Sequence, residues 1–297
     1  MDAPLELRRR AVEPGAGGLS RRDFVAGLLG AGGTLALLPG MTAASMAGGG
    51  DALLFSPDHR ALALSHGGEH LGLLSLAAGA ASTAVLHTRR RQTTLPGLDG
   101  YLGDVHAAWM TGPEQFVLLD GRGRRLHHYS IDGAALGAAA LRGRTLLAAA
   151  GCSDGAGGSF VSLPREHCIA RLSADGAVLR RFGTLGKAPG QLNHPTALAR
   201  QDDGSLIVAN SGNHRIDRFR ADGGFAGTIA RFGFMPRHLA LSGGTLAVYD
   251  PCAANVLLLS PRSGEQTAVL AVPKLRAGLR HCQSLTAAGT RRFLVSV

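Results

Sequence analysis

The fold class this sequence predicts is all-β: six four-stranded antiparallel blades closed into a β-propeller. Three observations predict it. From 182 to 229 the chain alternates apolar and polar residues with period two, broken at short intervals by Asn, Asp and Gly, as an antiparallel meander requires. The hairpin of that stretch then recurs. HLGLLSLAAG (70–79), RLHHYSIDG (125–133), CIARLSADG (168–176), HRIDRFRADG (214–223) and NVLLLSPRSG (255–264) end on Gly79, Gly133, Gly176, Gly223 and Gly264, spaced 41 to 54 residues apart. Finally, a matching strand precedes each: ALALS, FVLLD, SFVSL, LIVAN and LAVYD, with FLVSV (293–297) as a sixth member. Sandwich strands would not recur as matched four-strand units, whereas blades do.

In chain order, the first segment reads as an address. Residues 1–22 hold five arginines, and Ser20-Arg21-Arg22-Asp23-Phe24 leads into VAGLLGAGGTLALL. An Arg pair at that border, with Phe24 behind it, resembles a twin-arginine export signal. Other Arg pairs in the chain lack the flanking Ser, Phe and apolar run. Small residues at 43–47 offer a cleavage site, most simply after Ala47, so the expected division is a signal at 1–47 and a propeller at 48–297. The resemblance implies export of the folded protein by the twin-arginine translocase to the periplasm or beyond. An uncleaved inner-membrane anchor is the alternative, although the apolar run is too short and Gly-rich for a stable span.

The repeats then divide as 50–88, 89–141, 142–183, 184–229, 230–271 and 272–297. The basic insertion 86–103 reads as a loop over one face. Because the chain ends at the second strand of the sixth repeat, the last blade is either incomplete or completed by the signal segment. Repeats of this kind cannot bury both faces alone, so the ring must close.

Composition agrees. Forty-three glycines suit a turn-rich fold, and 10 Phe, 3 Tyr and 1 Trp make a thin aromatic layer. The net charge of +10 rests on arginine, since Lys187 and Lys274 are the two lysines. No Lys-rich stripe, aromatic platform or zinc-finger spacing accompanies it, so nucleic acid is not an expected partner. Four cysteines, Cys152, Cys168, Cys252 and Cys282, permit disulfides in an exported protein. Cys252 with Cys282 is the pairing preferred here, but folding in a reducing cytoplasm should not depend on it.

The fourth repeat carries Gly190-Gln191-Leu192-Asn193, Pro195, Asp203-Gly204, Leu206-Ile207-Val208-Ala209, then Ser211-Gly212-Asn213-His214-Arg215-Ile216, Phe219 and Asp222-Gly223. With those spacings it resembles the NHL repeat. The resemblance implies a propeller and a bracing role for Arg215 in the hairpin. It also points to a family that includes protein-binding modules, RNA-binding modules, sensors and a zinc lyase acting on peptidyl-hydroxyglycine. Where lyase-like sequences carry a Tyr, this chain reads Ser211-Gly212-Asn213.

Antiparallel connectivity puts the start of each innermost strand and the turn between strands two and three on one face. His106, His238 and His281 fall at innermost-strand starts, and three imidazoles converging on an axis suit zinc or copper. His66, His70, His167, His194 and His214, with Arg237, Tyr249 and Arg280, are expected on the same rim. Two functions follow. The leading expectation is an exported, non-enzymatic scaffold binding a protein, peptide or small ligand on its histidine-rich face. The rival is a metal-dependent lyase or hydrolase with a channel-mouth histidine site, distantly like peptidyl-hydroxyglycine lyase. No nucleophile elbow, P-loop, dinucleotide fingerprint or H-E-x-x-H occurs.

Overall fold

The computed structural model describes residues 42–46, 52–56, 60–66, 69–77, 83–88, 92–96, 105, 107–120, 125–141, 148–272, 282, 284–288 and 290–296. Two strands come first, β1 (Thr42–Met46) and β2 (Ala52–Ser56). Blade one is β3 (Arg60–His66), β4 (Glu69–Ala77), β5 (Thr83–Thr88) and β6 (Gln92–Thr94). Blade two is β7 (Ala107–Met110), β8 (Gln115–Leu119), β9 (Arg125–Ser130) and β10 (Ala135–Ala140). Blade three is β11 (Ala150–Ser153), β12 (Ser159–Leu163), β13 (Cys168–Leu172) and β14 (Val178–Phe182). Blade four is β15 (Pro195–Arg200), β16 (Leu206–Asn210), β17 (Arg215–Phe219) and β18 (Phe225–Arg231). Blade five is β19 (Leu239–Ser242), β20 (Thr245–Asp250), β21 (Asn255–Leu259) and β22 (Gln266–Ala271). The chain closes with β23 (Ser284–Ala287) and β24 (Arg292–Ser296).

These make six four-stranded sheets, and the innermost strands touch in the cyclic order β3, β7, β11, β15, β19, β23 and back to β3. The expected six-bladed propeller is the observed fold. The last blade is complete: its order is β23-β24-β2-β1, with β2 parallel to β24 from Ala52 opposite Arg292 to Ser56 opposite Ser296. That closure corrects the strand register of the first repeat. ALALS is its innermost strand rather than its second, and the segment from His70 is its second rather than its third. Part of the insertion expected as a loop, Gln92–Thr94, is the fourth strand of blade one. An inner strand and a second strand are both short and apolar, so alternation alone does not separate them.

Each blade packs its two faces against different neighbours, which explains the unbroken apolar runs of the second strands. Phe116 and Leu118 join Leu62, Leu64 and Leu74 of blade one, while Val117 and Leu119 join Val161, Leu163 and Leu172 of blade three. The pattern repeats around the ring. Leu206 and Val208 face blade three, whereas Ile207 and Ala209 face blade five. Period two thus sorts residues between two interfaces instead of between core and water. The sole Trp sits at one such seam. Trp109 donates from Nε1 to Ser159 Oγ at 2.9 Å, and a Cβ on Gly151 would lie 2.5 Å from its ring. Only glycine leaves that inner strand room for the indole.

Blade four is braced by a buried polar network. Arg215 Nε donates to Asp217 Oδ2 at 2.7 Å, and its NH groups reach the carbonyls of Lys187, Ala188 and Gln191. Asn210 donates to the same Asp217 oxygen at 2.7 Å and accepts from the Asn193 amide at 2.8 Å. Thr228 donates to Asp217 Oδ1 at 2.7 Å. The NHL-like residues therefore tie the lead-in loop 183–193 to the hairpin. Arg215 is structural, as the sequence reading held.

Candidate functional site

The innermost strands enclose a central channel of about 1580 Å³, walled largely by Ala, Gly and Leu. Its entry mouth is the face where those strands begin. On it lie the second-to-third-strand turns of blades three to five, each ending in a residue with left-handed backbone: His167 (φ 54°), His214 (φ 53°) and Ala254 (φ 51°). Histidine tolerates that conformation better than most side chains, so the turn itself accounts for two of the rim histidines. His194 has φ 52° for its own tight turn, and its amide donates to Nδ1 of His167 at 3.1 Å.

His238 lies on the channel wall at the head of β19. Its main-chain carbonyl accepts from the Tyr249 amide at 3.2 Å, and its imidazole bonds the main-chain carbonyl of Cys282. Burial first, then the charge of neighbouring Arg237, lower its pKa to about 4. The ring is therefore neutral at pH 7. With one nitrogen committed to a carbonyl, the other keeps a lone pair for a proton or a metal.

Tyr249 is buried behind it, its phenol pushed up by burial. Cys282 is also buried. Its S–H donates to the Ser284 carbonyl at 3.2 Å, and burial raises the thiol to about 12. It is a structural thiol rather than a thiolate. All four cysteines are free, with Cys252 exposed and Cys282 buried, so the preferred pair is not formed.

Around the mouth the charge is positive. Arg165, His167 and Arg237 all act on His194, whose pKa is lowered by burial and then by these three groups. Arg165 and Arg237 both line the channel. Thr196 completes this side, its hydroxyl donating to the Arg237 carbonyl at 2.9 Å beside Ser211, which donates to the Pro236 carbonyl at 2.6 Å.

Not every expected rim residue arrives there. Because β3 is innermost, the β3–β4 turn bearing His66 and His70 falls at the opposite mouth, which corrects their placement. His106, Arg280 and His281 lie outside the described residues, as do Arg21, Arg22 and Phe24. The ladder register places Ala107 opposite Leu119 and Ser284 opposite Ser296, the rung where His238 faces Tyr249. In sequence, His106 and His281 precede those rung residues by one and three positions. Among the described residues no three His, Cys, Asp or Glu side chains are grouped to hold a metal. Arg165 escaped the sequence reading. Aligning Pro164-Arg165-Glu166-His167 with Ser211-Gly212-Asn213-His214 puts Arg165 in the tip of the same turn.

No protein-family model matches the chain, and no curated protein matches it by sequence. Solved structures do match. A selenomethionine-substituted virginiamycin B lyase from Staphylococcus aureus aligns with TM-score 0.51 and 14% identity over 72% of this chain and 70% of that one. A streptogramin B lyase aligns with TM-score 0.52 and 10% identity over 83% and 90%. A protein of unknown function from Bacteroides caccae aligns with TM-score 0.53 and 11% identity over 86% and 98%. At such identities the likeness is one of fold. Even so, two of these propellers are lyases, and that overturns the expectation of a non-enzymatic scaffold.

Proposed function

We propose that this chain is a lyase whose reaction takes place at the entry mouth of its channel, at His238. The observation that carries the reading is the state of that imidazole: neutral, held by the Cys282 carbonyl, on the channel wall beside Arg237. The likeness of the ring to two lyases supports it.

His106 and His281, with His238, are the proposed ligands of a zinc- or copper-type ion. The carbonyl bond behind His238 is the support that ligating imidazoles usually have. A bound ion would supply Lewis acidity to a substrate oxygen. The chain's own residues would do the rest. Arg237 would hold a negatively charged group of the substrate beside His238. The small residues of the wall would leave the channel open to a bulky substrate group.

The first substrate to try is virginiamycin B, the compound in the name of one matching propeller. Purified protein should convert it, as followed by chromatography and mass spectrometry, and should carry about one equivalent of metal by elemental analysis. His238→Ala should lose the metal and at least a hundredfold in rate. Substoichiometric metal that His238→Ala leaves unchanged would refute the ligand assignment. Turnover unaffected by the variant would refute the site.

We also propose the export route. Arg21, Arg22 and Phe24 supply a twin-arginine leader, and the propeller then works in the periplasm or outside the cell. Among the described residues no helix is long and apolar enough to cross a membrane. The NHL-like spacing of blade four supports placing the propeller near that family. Cleavage after Ala47 would remove β1 but leave β2 on β24. N-terminal sequencing of the exported protein tests the boundary.

A further inference from the structure

Two arginines at the entry mouth are left over by the architecture. Other arginines of blades three and four have partners: Arg171 binds Asp154 at 2.8 Å, Arg181 binds Glu166, Arg215 binds Asp217 at 2.7 Å and Arg218 binds the Pro261 carbonyl. Arg165 and Arg237 make no side-chain hydrogen bond or ion pair among the described residues. They come from different blades, Arg165 from the β12–β13 turn of blade three and Arg237 from the approach to β19 of blade five. Both side chains are exposed and both line the channel on the same side as His238.

The nearby acids are committed elsewhere. Glu166, next to Arg165, pairs with Arg181. Asp250 accepts the amides of Cys252 at 2.8 Å and Ala253 at 3.2 Å to close its turn. His194 feels both arginines as well as His167, so the space they border carries positive potential. Planar guanidinium groups left without partners on a concave wall are built to take a planar anion in bidentate fashion. They sit singly on two blades, and a pair of planar forks matches the two oxygens of a carboxylate.

We propose that Arg165 and Arg237 form a carboxylate-binding subsite at the entry mouth, so that the substrate is an organic acid seated across blade four with its reactive end toward His238. The inference rests on the lyase reading for its direction, but the subsite itself is testable without turnover.

The probe is succinate, titrated calorimetrically into the full-length protein in EDTA, at fixed ionic strength near 0.15 M so that diffuse attraction is screened. Saturable binding is expected, at least tenfold weaker in Arg165→Ala and in Arg237→Ala, and partly restored by Arg165→Lys and Arg237→Lys. Arg180→Ala, an exposed arginine on β14, should leave it unchanged. Absent binding, equal binding in the arginine variants, or tighter binding of inorganic phosphate than of succinate would overturn the proposal. Metal content and turnover, measured separately, keep the two readings apart. If metal and turnover fail while succinate binding depends on both arginines, the subsite stands and the lyase reading falls.

Discussion

At the scale of single residues, protonation separates architecture from chemistry. Burial lowers the pKa of His127 and His128 on β9, and of His238 to about 4, against 6.5 for an unperturbed imidazole. Nε2 of both β9 histidines is buried without a partner, so neither ring gains by charging in place. The unfolded chain takes up protons near 6.5 where the folded one does not, so this contribution is complete above about pH 6.5 and is lost as pH falls toward 4. For EDTA-treated protein the thermal midpoint should be flat from pH 8 to 7 and fall progressively below 6.5. His127→Gln should flatten part of that fall. A midpoint constant down to pH 4.5 would contradict the burial of these rings. Arg215 belongs to the other class. Arg215→Ala strands the fully buried Asp217 and frees the lead-in loop, a loss of about 3–5 kcal/mol for a broken buried pair, read from denaturant unfolding. Its role was legible in the Ser-Gly-Asn-His-Arg turn of blade four. That of Arg165 was obscured because its turn reads Pro-Arg-Glu where blade four reads Ser-Gly-Asn.

At the scale of elements, second strands could be recognised from sequence because both of their faces are buried. SFVSL and LIVAN are buried at every position, and so are FVLL and LAVY in the second strands of blades two and five. Inner strands are harder to recognise. They face a channel on one side and pack closely on the other, so they run to Ala and Gly, as in Ala-Gly-Cys-Ser of β11. Gly151→Ala tests this directly. The added methyl would meet the Trp109 ring at 2.5 Å and press the indole off Ser159, an over-packing cost of about 1–3 kcal/mol. Tryptophan fluorescence should shift with the lower unfolding midpoint. An unchanged midpoint would show that the seam between β7 and β11 can relax.

At the scale of the whole molecule, the ring depends on how its ends meet. Five parallel rungs between β2 and β24 join the first strands to the last, and β1 adds only an outer edge. Deleting residues 1–47 should therefore leave cooperative unfolding with a midpoint lowered by a few degrees, about the effect of 1 kcal/mol on a chain of this size. Deleting residues 1–57 removes β2, uncovers the edge of β24 and should abolish the cooperative transition followed by circular dichroism. If both truncations behave alike, the closing role of β2 is wrong.

The sequence by itself determined the class, the number of blades and the strand content of blades two to five, because alternation and turn chemistry are local and recur in each repeat. It also singled out His238 and Arg237, which stand next to an identifiable strand. Only the tertiary structure decided that the N-terminal strands complete the last blade, a pairing across the whole chain that no local period encodes. That one pairing shifted the register of blade one and carried His66 and His70 to the far mouth. It takes the ring, too, to bring Arg165 and Arg237 to one channel mouth, 72 positions apart in the chain.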